Sequence, residues 1–194
     1  MEVPLTMSST VRPLGNAPGL CISTRSSKYQ HVRHVNLRDL CYKFTRMAFE
    51  GEWRQALQTM TDAYENVSSV RDGIEAERNI QGFFMAYLNL NGYYYTAPEL
   101  ELNHGYCDFF LLPDLTHYPT KHSYILELKL LPRREKDESK EAFERRVEKQ
   151  WADAVEQIRR YAVAPRVEAL RQGTLLHRII IQFDGCKLHR MDEV

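Results

Sequence analysis

The sequence predicts an α/β fold, with a mixed central sheet flanked by helices and a helical N-terminal extension before it. Apolar residues recur at helical spacing up to Leu88, and after Asn91-Gly92 the spacing changes to that of strands. Three strand patterns then follow one another before a further helix and a buried strand. The order from residue 75 onward is therefore αβββαβ, which fits one sheet covered by helices.

Three segments are expected along the 194 residues, a length that fits a single core. Residues 1–19 are rich in Pro, Ser, Thr and Gly without an apolar period, so we expect a flexible N-terminal segment. Residues 20–72 are predicted to form an extension of strands and helices, with a short strand pair within residues 20–35. Residues 73–194 are predicted to form the main domain.

Three helical patterns precede the strands. Residues 36–49 begin with Asn36, a residue type favoured at the N-cap, and residues 53–63 place apolar residues on one face. Residues 75–89 carry the widest apolar stripe, and the Asn-Gly pair that follows it is a common end signal.

The strand patterns differ in how they indicate burial. Residues 93–102 contain Pro98, which suggests a bulge or an edge position, and residues 106–112 form the second strand. Residues 123–131 are apolar on both faces, as a buried strand should be.

The C-terminal third is predicted to return to a helix and then to a strand. Residues 132–149 are dense in mixed charge and are expected to be a solvated, partly helical excursion. Residues 150–162 have helical spacing, and residues 175–184 form a last buried strand.

Composition excludes few functions. The chain has 26 Lys and Arg residues together and 26 Asp and Glu residues together. Zero net charge is still compatible with nucleic-acid binding, because a local positive surface is enough. The four cysteines form no CxxC pair, which argues against a zinc knuckle and favours free thiols in the cytoplasm. No apolar run approaches the roughly 18–20 residues of a membrane span, and the first 20 residues do not resemble a secretory signal.

Three ionisable residues in the second and third strands are the candidate site. Glu127 and Lys129 are two residues apart and so face the same side of their strand. Asp108 stands in mid-strand among apolar residues, where a charge is costly unless it is paired or binds metal. If the two strands are neighbours, all three groups meet on one patch of the sheet.

This set has two interpretations. Two carboxylates offer hard oxygen ligands to Mg²⁺ or Mn²⁺, and a lysine beside them can orient a water or stabilise developing negative charge. A buried Asp/Glu–Lys ion pair that only holds the strands together is the alternative.

Neighbouring helices add candidates that each have an ordinary alternative. Glu77 could be a third metal ligand, or it could complement the dipole of its own helix. Gln157 and Tyr161, four residues apart on one helix face, could contact a phosphate or orient Lys129, but a solvated glutamine and a core-edge tyrosine would show the same spacing.

Arginines near the expected mouth of the site are candidate phosphate contacts, although the charge run that holds two of them is most simply a solvated face. They are Arg133, Arg134, Arg159 and Arg160.

The order of these motifs resembles the PD-(D/E)XK nuclease superfamily. Gly105-x-x-Asp108 in one strand, Glu127-x-Lys129 in the next and Gln157-x-x-x-Tyr161 in the following helix carry the resemblance. More narrowly, residues 53–184 resemble the nuclease-like domain found C-terminal to bacterial AAA-ATPase-like proteins. Gln81 stands about where that group often has a histidine, and no GxxxxGK[ST] phosphate loop occurs here, so we expect a stand-alone or truncated relative.

The resemblance implies a restriction-endonuclease-like core and a metal-dependent nuclease that hydrolyses phosphodiester bonds, in DNA more than in RNA. Asp108, Glu127, Lys129, Gln157 and Tyr161 would be its catalytic residues, and an ATPase would be a possible protein partner. A catalytically weak or inactive nuclease-like module that binds nucleic acid or protein is the alternative, and a purely structural domain is the third.

Overall fold

The computed structural model describes residues 35–68 and 77–194. The elements in chain order are α1 (Leu37–Glu50), α2 (Trp53–Ser68), α3 (Glu77–Leu88), β1 (Tyr94–Leu102), β2 (Gly105–Pro113), β3 (His122–Leu130), α4 (Lys140–Ala162), α5 (Pro165–Arg171), β4 (Leu175–Asp184) and β5 (Lys187–Glu193). The strand pair predicted within residues 20–35 falls on residues 20–34, outside the described part of the chain, and on Val35, which is not in a strand.

The five strands form one open sheet in the order β1-β2-β3-β4-β5. The β3–β4 pair is parallel and the other pairs are antiparallel, so the predicted mixed sheet is confirmed. β3 pairs with β4 along its whole length, from His122 to Leu130. By contrast β2 pairs with β3 only through Phe109, Phe110 and Leu111, so the two strands separate at the residue before Phe109, which is Asp108.

Helices cover both faces of the sheet, as expected for an α/β sandwich. Helices α1, α2 and α3 bury one apolar cluster against the sheet, which includes Phe44, Met60, Phe84, Phe109 and Leu126. Helices α4 and α5 bury a second cluster on the opposite face, which includes Phe110, Ile125, Trp151, Ile158 and Ile180.

The predicted helices and strands that fall on described residues are present, and most of their ends differ by one or two residues, but α2 ends five residues later than predicted and α4 begins ten residues earlier. Asn36 caps α1 as predicted, since its side chain accepts the Asp39 N–H at 3.2 Å. Pro98 lies in β1, an edge strand, which is one of the two positions that its presence suggested.

Helix α4 begins at Lys140, not at residue 150 as predicted. Ser139 caps it by accepting the Ala142 N–H at 3.1 Å, and Val147 continues the buried stripe toward the N-terminus. The charges of the 140–149 segment therefore occupy the solvated side of a helix whose apolar face is narrow there.

Two elements were missed by the sequence patterns. Helix α5 has only seven residues and starts at Pro165, a residue type favoured in the first turn. Strand β5 lies at the edge of the sheet, and Met191 is its one buried residue. Because its other residues are partly or fully exposed, its sequence resembles that of a polar tail.

Candidate active site

Asp108 bridges the point at which β2 and β3 separate. Its Oδ2 accepts the backbone N–H of Leu128 at 2.6 Å, and its Oδ1 accepts a hydrogen bond from the side-chain amide of Gln81 on α3. These bonds fix the carboxylate between the helix and the sheet. Burial raises the pKa of Asp108 in spite of the Leu128 N–H and the nearby Lys129 charge, which both favour the ionised form.

Glu127 and Lys129 lie on the same face of β3, as their spacing predicts. Lys129 Nζ lies 2.7 Å from Glu127 Oε1, and the Glu127 residue is only 1% exposed. The second carboxylate oxygen, Glu127 Oε2, is buried and has no hydrogen-bond partner among the described residues. A buried carboxylate with one bare oxygen is costly unless a proton or a cation satisfies that oxygen.

The charged groups of this site shift one another's pKa values. Burial first, and the Asp108 charge second, raise the pKa of Glu127 to about 7, although Lys129 opposes both. Burial lowers the pKa of Lys129, but the charge and hydrogen bond of Glu127 outweigh it and the net pKa is raised. Lys129 therefore stays protonated, while Glu127 holds or releases a proton near neutral pH.

Glu77 lies at the start of α3, within electrostatic reach of Asp108 and Lys129. Burial raises its pKa, Lys129 lowers it and Asp108 raises it again. The structure therefore brings Glu77 near Asp108 and Lys129 but gives it no described hydrogen bond to either side chain.

Gln157 and Tyr161 contact each other and the β1–β2 hairpin. Gln157 Nε2 donates to the Tyr161 hydroxyl at 2.8 Å, and that hydroxyl donates to the Tyr106 carbonyl at 3.0 Å. Tyr161 is 2% exposed, and a Cβ on Gly105 would overlap its hydroxyl and lie 2.8 Å from its Cε1. The Gly105-x-x-Asp108 motif therefore has a packing reason: only glycine leaves room for Tyr161. No described bond joins either α4 residue to Asp108, Glu127 or Lys129.

The four candidate phosphate-binding arginines are exposed. Arg133 and Arg134 follow β3, and both Arg134 Nε and Nη2 donate to the Glu138 carbonyl, at 3.1 and 2.8 Å. Arg159 and Arg160 lie in the last turn of α4, where the Arg160 carbonyl accepts from Asn103 Nδ2 at 2.9 Å. Arg134 therefore closes the loop after β3 with its side chain, whereas Arg160 uses only its backbone carbonyl in the contact with Asn103.

Sequence reasoning missed two glutamines beside the site. Gln182, 1% exposed, pairs in register with Lys129, and its Nε2 donates to Gln150 Oε1 at 2.9 Å. Gln150 Nε2 in turn donates to the Leu130 carbonyl at 3.0 Å. A glutamine in the middle of the buried β4 pattern was the available signal, because a buried amide needs a partner.

Within the described residues, no group of three or more His, Cys, Asp or Glu side chains is arranged to hold a metal ion. Mg²⁺ does not require such a group, since it is commonly held by one or two carboxylates and keeps several waters. Asp108 and Glu127, with the bare Oε2 of Glu127, meet that smaller requirement.

Comparison with known proteins identifies the family of this chain. A family model described as the PD-(D/E)XK nuclease superfamily matches residues 75–193, which is more than half of the chain. The chain belongs to the PD-(D/E)XK nuclease superfamily. Neither the curated proteins nor the solved structures include a significant match. The superfamily match spans α3 to β5, and so includes every candidate site residue.

The described part of the chain has no helix that is both long enough and apolar enough to cross a membrane.

Proposed function

We propose that this PD-(D/E)XK domain is a Mg²⁺- or Mn²⁺-dependent nuclease that hydrolyses phosphodiester bonds in DNA. The observation that carries the proposal is the buried Glu127 carboxylate, whose Oε2 has no hydrogen-bond partner in residues 35–68 and 77–194 although Asp108 and Lys129 stand beside it. A purely structural ion pair would satisfy both oxygens, because an unpaired buried oxygen lowers stability.

Asp108 and Glu127 would hold the metal ion, with Glu77 as a further carboxylate near them. When bound, the ion lowers the pKa of a coordinated water and offsets negative charge on the phosphate. Oxygen donors are the ligands that Mg²⁺ and Mn²⁺ prefer, so the chemistry of the donor set fits these ions.

The chain's own groups would position the Asp108 carboxylate and the attacking water, and would stabilise the charge that develops on the phosphate. Gln81 and the Leu128 N–H hold the Asp108 carboxylate in one orientation. Lys129, kept protonated by Glu127, would orient the attacking water and stabilise charge that develops on the phosphate oxygens. Gln157 and Tyr161 would support this arrangement through Tyr106, which is two residues from Asp108.

The same proposal includes DNA as the binding partner and the cytoplasm as the location of the protein. The exposed arginines Arg133, Arg134, Arg159 and Arg160 would contact the DNA backbone. Free thiols at Cys41, Cys107 and Cys186 fit a reducing cytoplasm. An ATPase as protein partner rests on the resemblance to domains that follow such modules.

One observation favours the alternative, a nuclease-like module that binds nucleic acid or protein without efficient catalysis. Both Asp108 oxygens already accept hydrogen bonds, one from Gln81 and one from Leu128. A metal ligand can accept such bonds as well, since each carboxylate oxygen has two lone pairs. The hydrogen bonds to Asp108 are therefore compatible both with a metal ligand and with a site that binds no metal.

Cleavage of linear DNA, circular DNA and RNA with Mg²⁺ or Mn²⁺ tests the proposal. Wild type should cut DNA only with metal, and Lys129→Ala and Asp108→Ala should each lose activity by 100-fold or more, of the order expected for a lost transition-state contact. Lys140→Ala, an exposed lysine at the start of α4, is the matched control and should retain activity. A wild type that binds nucleic acid but never cuts would support the binding module instead.

A further inference from the structure

A cleft beside Asp108 separates α3 from β1. Two cavities of about 290 and 270 Å³ open there, and Gln81, Glu99 and Asp108 line both of them. These volumes lie near the lower limit of small-molecule sites, about 300–1,000 Å³. The cleft is therefore large enough for one flat ring system, whereas a base pair with its two sugars would not enter it.

The lining of the cleft has flat apolar surfaces and polar edges. Pro98 and Phe109 contribute apolar area to the larger cavity, and Tyr106, a tyrosine with 61% of its surface exposed, lines the smaller one. Exposed aromatic rings offer stacking surface to bases whatever their sequence. Arg78, at the rim on α3, adds a positive charge.

Glu99 is held in an unusual conformation at this place. Its φ is +48°, in the left-handed region that non-glycine residues rarely adopt, and it follows Pro98 in an edge strand. Such backbone strain is found where a side chain must be aimed at a functional site. Here Glu99 faces the cleft that also exposes Asp108.

The polar edges of the cleft are rich in hydrogen-bond acceptors. A carboxylate such as Glu99 only accepts, and the Gln81 amide nitrogen is already used on Asp108, which leaves its oxygen as the free acceptor. Adenine and cytosine carry an exocyclic amino group that donates to such acceptors, and thymine does not.

We propose that this cleft holds one unpaired, amino-bearing base next to the scissile phosphate, so that the preferred substrate is single-stranded DNA. The inference rests on the nuclease activity proposed above for the adjoining Asp108 site. An unpaired base enters such a pocket without the cost of unpairing, which a duplex would have to meet first.

The test compares single-stranded dC and dT oligonucleotides with the dC strand annealed to its complement. Cleavage rates and binding by fluorescence anisotropy are measured in parallel for wild type, Glu99→Ala and Gly82→Trp. Gly82 lines the cleft, and a Cβ added there would meet no other atom within 4 Å, so a tryptophan at this position should project into the cleft. Ala86→Trp, one turn along the exposed side of α3, is the matched control.

Wild type should cut and bind the dC strand about 5-fold or more better than the dT strand, and better than the duplex. Glu99→Ala should remove the base preference, Gly82→Trp should weaken both readouts about 10-fold by loss of the stacked base, and Ala86→Trp should change neither. Equal cleavage and binding of the dC strand, the dT strand and the duplex would contradict the base-binding role of the cleft. So would a Gly82→Trp variant that cleaves and binds like wild type. Either result would leave the nuclease proposal intact.

The two proposals fail differently. If no oligonucleotide is cut but wild type binds dC better than dT and Glu99→Ala loses this preference, the base-binding role of the cleft is supported and the nuclease proposal is contradicted. If the oligonucleotides are neither cut nor bound, both fall.

Discussion

The Asp108 carboxylate accepts the backbone N–H of Leu128 at 2.6 Å, so a side chain replaces a strand-to-strand bond where β2 and β3 separate. This bond sets Asp108 against the backbone that carries Glu127 and Lys129. The separation of the strands and the convergence of the three charges are therefore one structural feature.

Asp108→Asn and Asp108→Ala should differ in stability but not in activity. In Asp108→Asn the side-chain amide oxygen can still accept the Leu128 N–H, and the substitution removes a charge that burial disfavours. The free energy of unfolding of Asp108→Asn should therefore be close to that of wild type. Asp108→Ala leaves the Leu128 N–H and the Gln81 amide without their acceptor and should cost about 1–3 kcal/mol. Urea unfolding measures the difference, and both variants should be inactive. Equal stability of the two variants would show that the Leu128 bond is unimportant.

Lys129→Ala should destabilise the protein more at high pH than at low pH. The pKa of Glu127 is about 7, above its ordinary value of 4.5, so the folded protein holds this proton more tightly than the unfolded chain. Below about pH 6 Glu127 is mostly neutral and the loss of Lys129 leaves no bare charge. At pH 8.5 removal of one partner from a buried ion pair should cost about 3–5 kcal/mol.

Urea unfolding of wild type and Lys129→Ala at pH 5.5 and 8.5 checks this prediction. Glu127→Gln in the Lys129→Ala background is the control, because it should remove the pH dependence of the difference. A cost that is the same at both pH values would mean that Glu127 does not titrate near neutrality.

Metal binding should release a proton whose amount depends on pH. Glu127 must ionise to bind the ion, so about one proton should leave well below its pKa of about 7 and far fewer above it. Calorimetric titration with Mn²⁺ at pH 6.0 and 8.0, in buffers of different ionisation enthalpy, counts these protons. A release that does not change with pH would place the ion away from Glu127.

Gly105→Ala and Gly82→Ala should have opposite effects on stability. A Cβ on Gly105 would overlap the Tyr161 ring, so this change should destabilise by about 1–3 kcal/mol through overpacking. A Cβ on Gly82, in the middle of α3, meets nothing, and alanine should stabilise the helix by about 0.5–1 kcal/mol. Thermal or urea unfolding gives both values, and a neutral Gly105→Ala would contradict the packing role assigned to Tyr161.

The αβββαβ order and the three central charges were predictable because each rests on local spacing. Buried strands require apolar runs, and ionisable residues inside such runs, as at Asp108 and Glu127, are conspicuous. Strand β5 and helix α5 were not predictable in this way. β5 pairs at the edge of the sheet with only Met191 fully buried, and α5 is too short to show a period.

The surroundings of the site were less predictable than its centre, because they depend on contacts between distant residues. The hydrogen bond from Gln182 to Gln150 joins β4 to α4 across 32 positions of the sequence, and no local pattern predicts that these two residues are partners. Tyr161 was predicted to be catalytic from the family resemblance, through the Gln157-x-x-x-Tyr161 element. Its described contacts give it a packing and positioning role against Gly105 and Tyr106, and a direct catalytic role stays a prediction.

Calorimetric titration of the protein with Mn²⁺ is the decisive test of Asp108 and Glu127 as metal ligands. Mn²⁺ should bind wild type and should fail to bind Asp108→Asn and Glu127→Gln, while cooperative urea unfolding shows that all three proteins are folded. Wild type that binds no Mn²⁺, or variants that bind it as tightly as wild type, would contradict the assignment of Asp108 and Glu127 as the metal-holding pair.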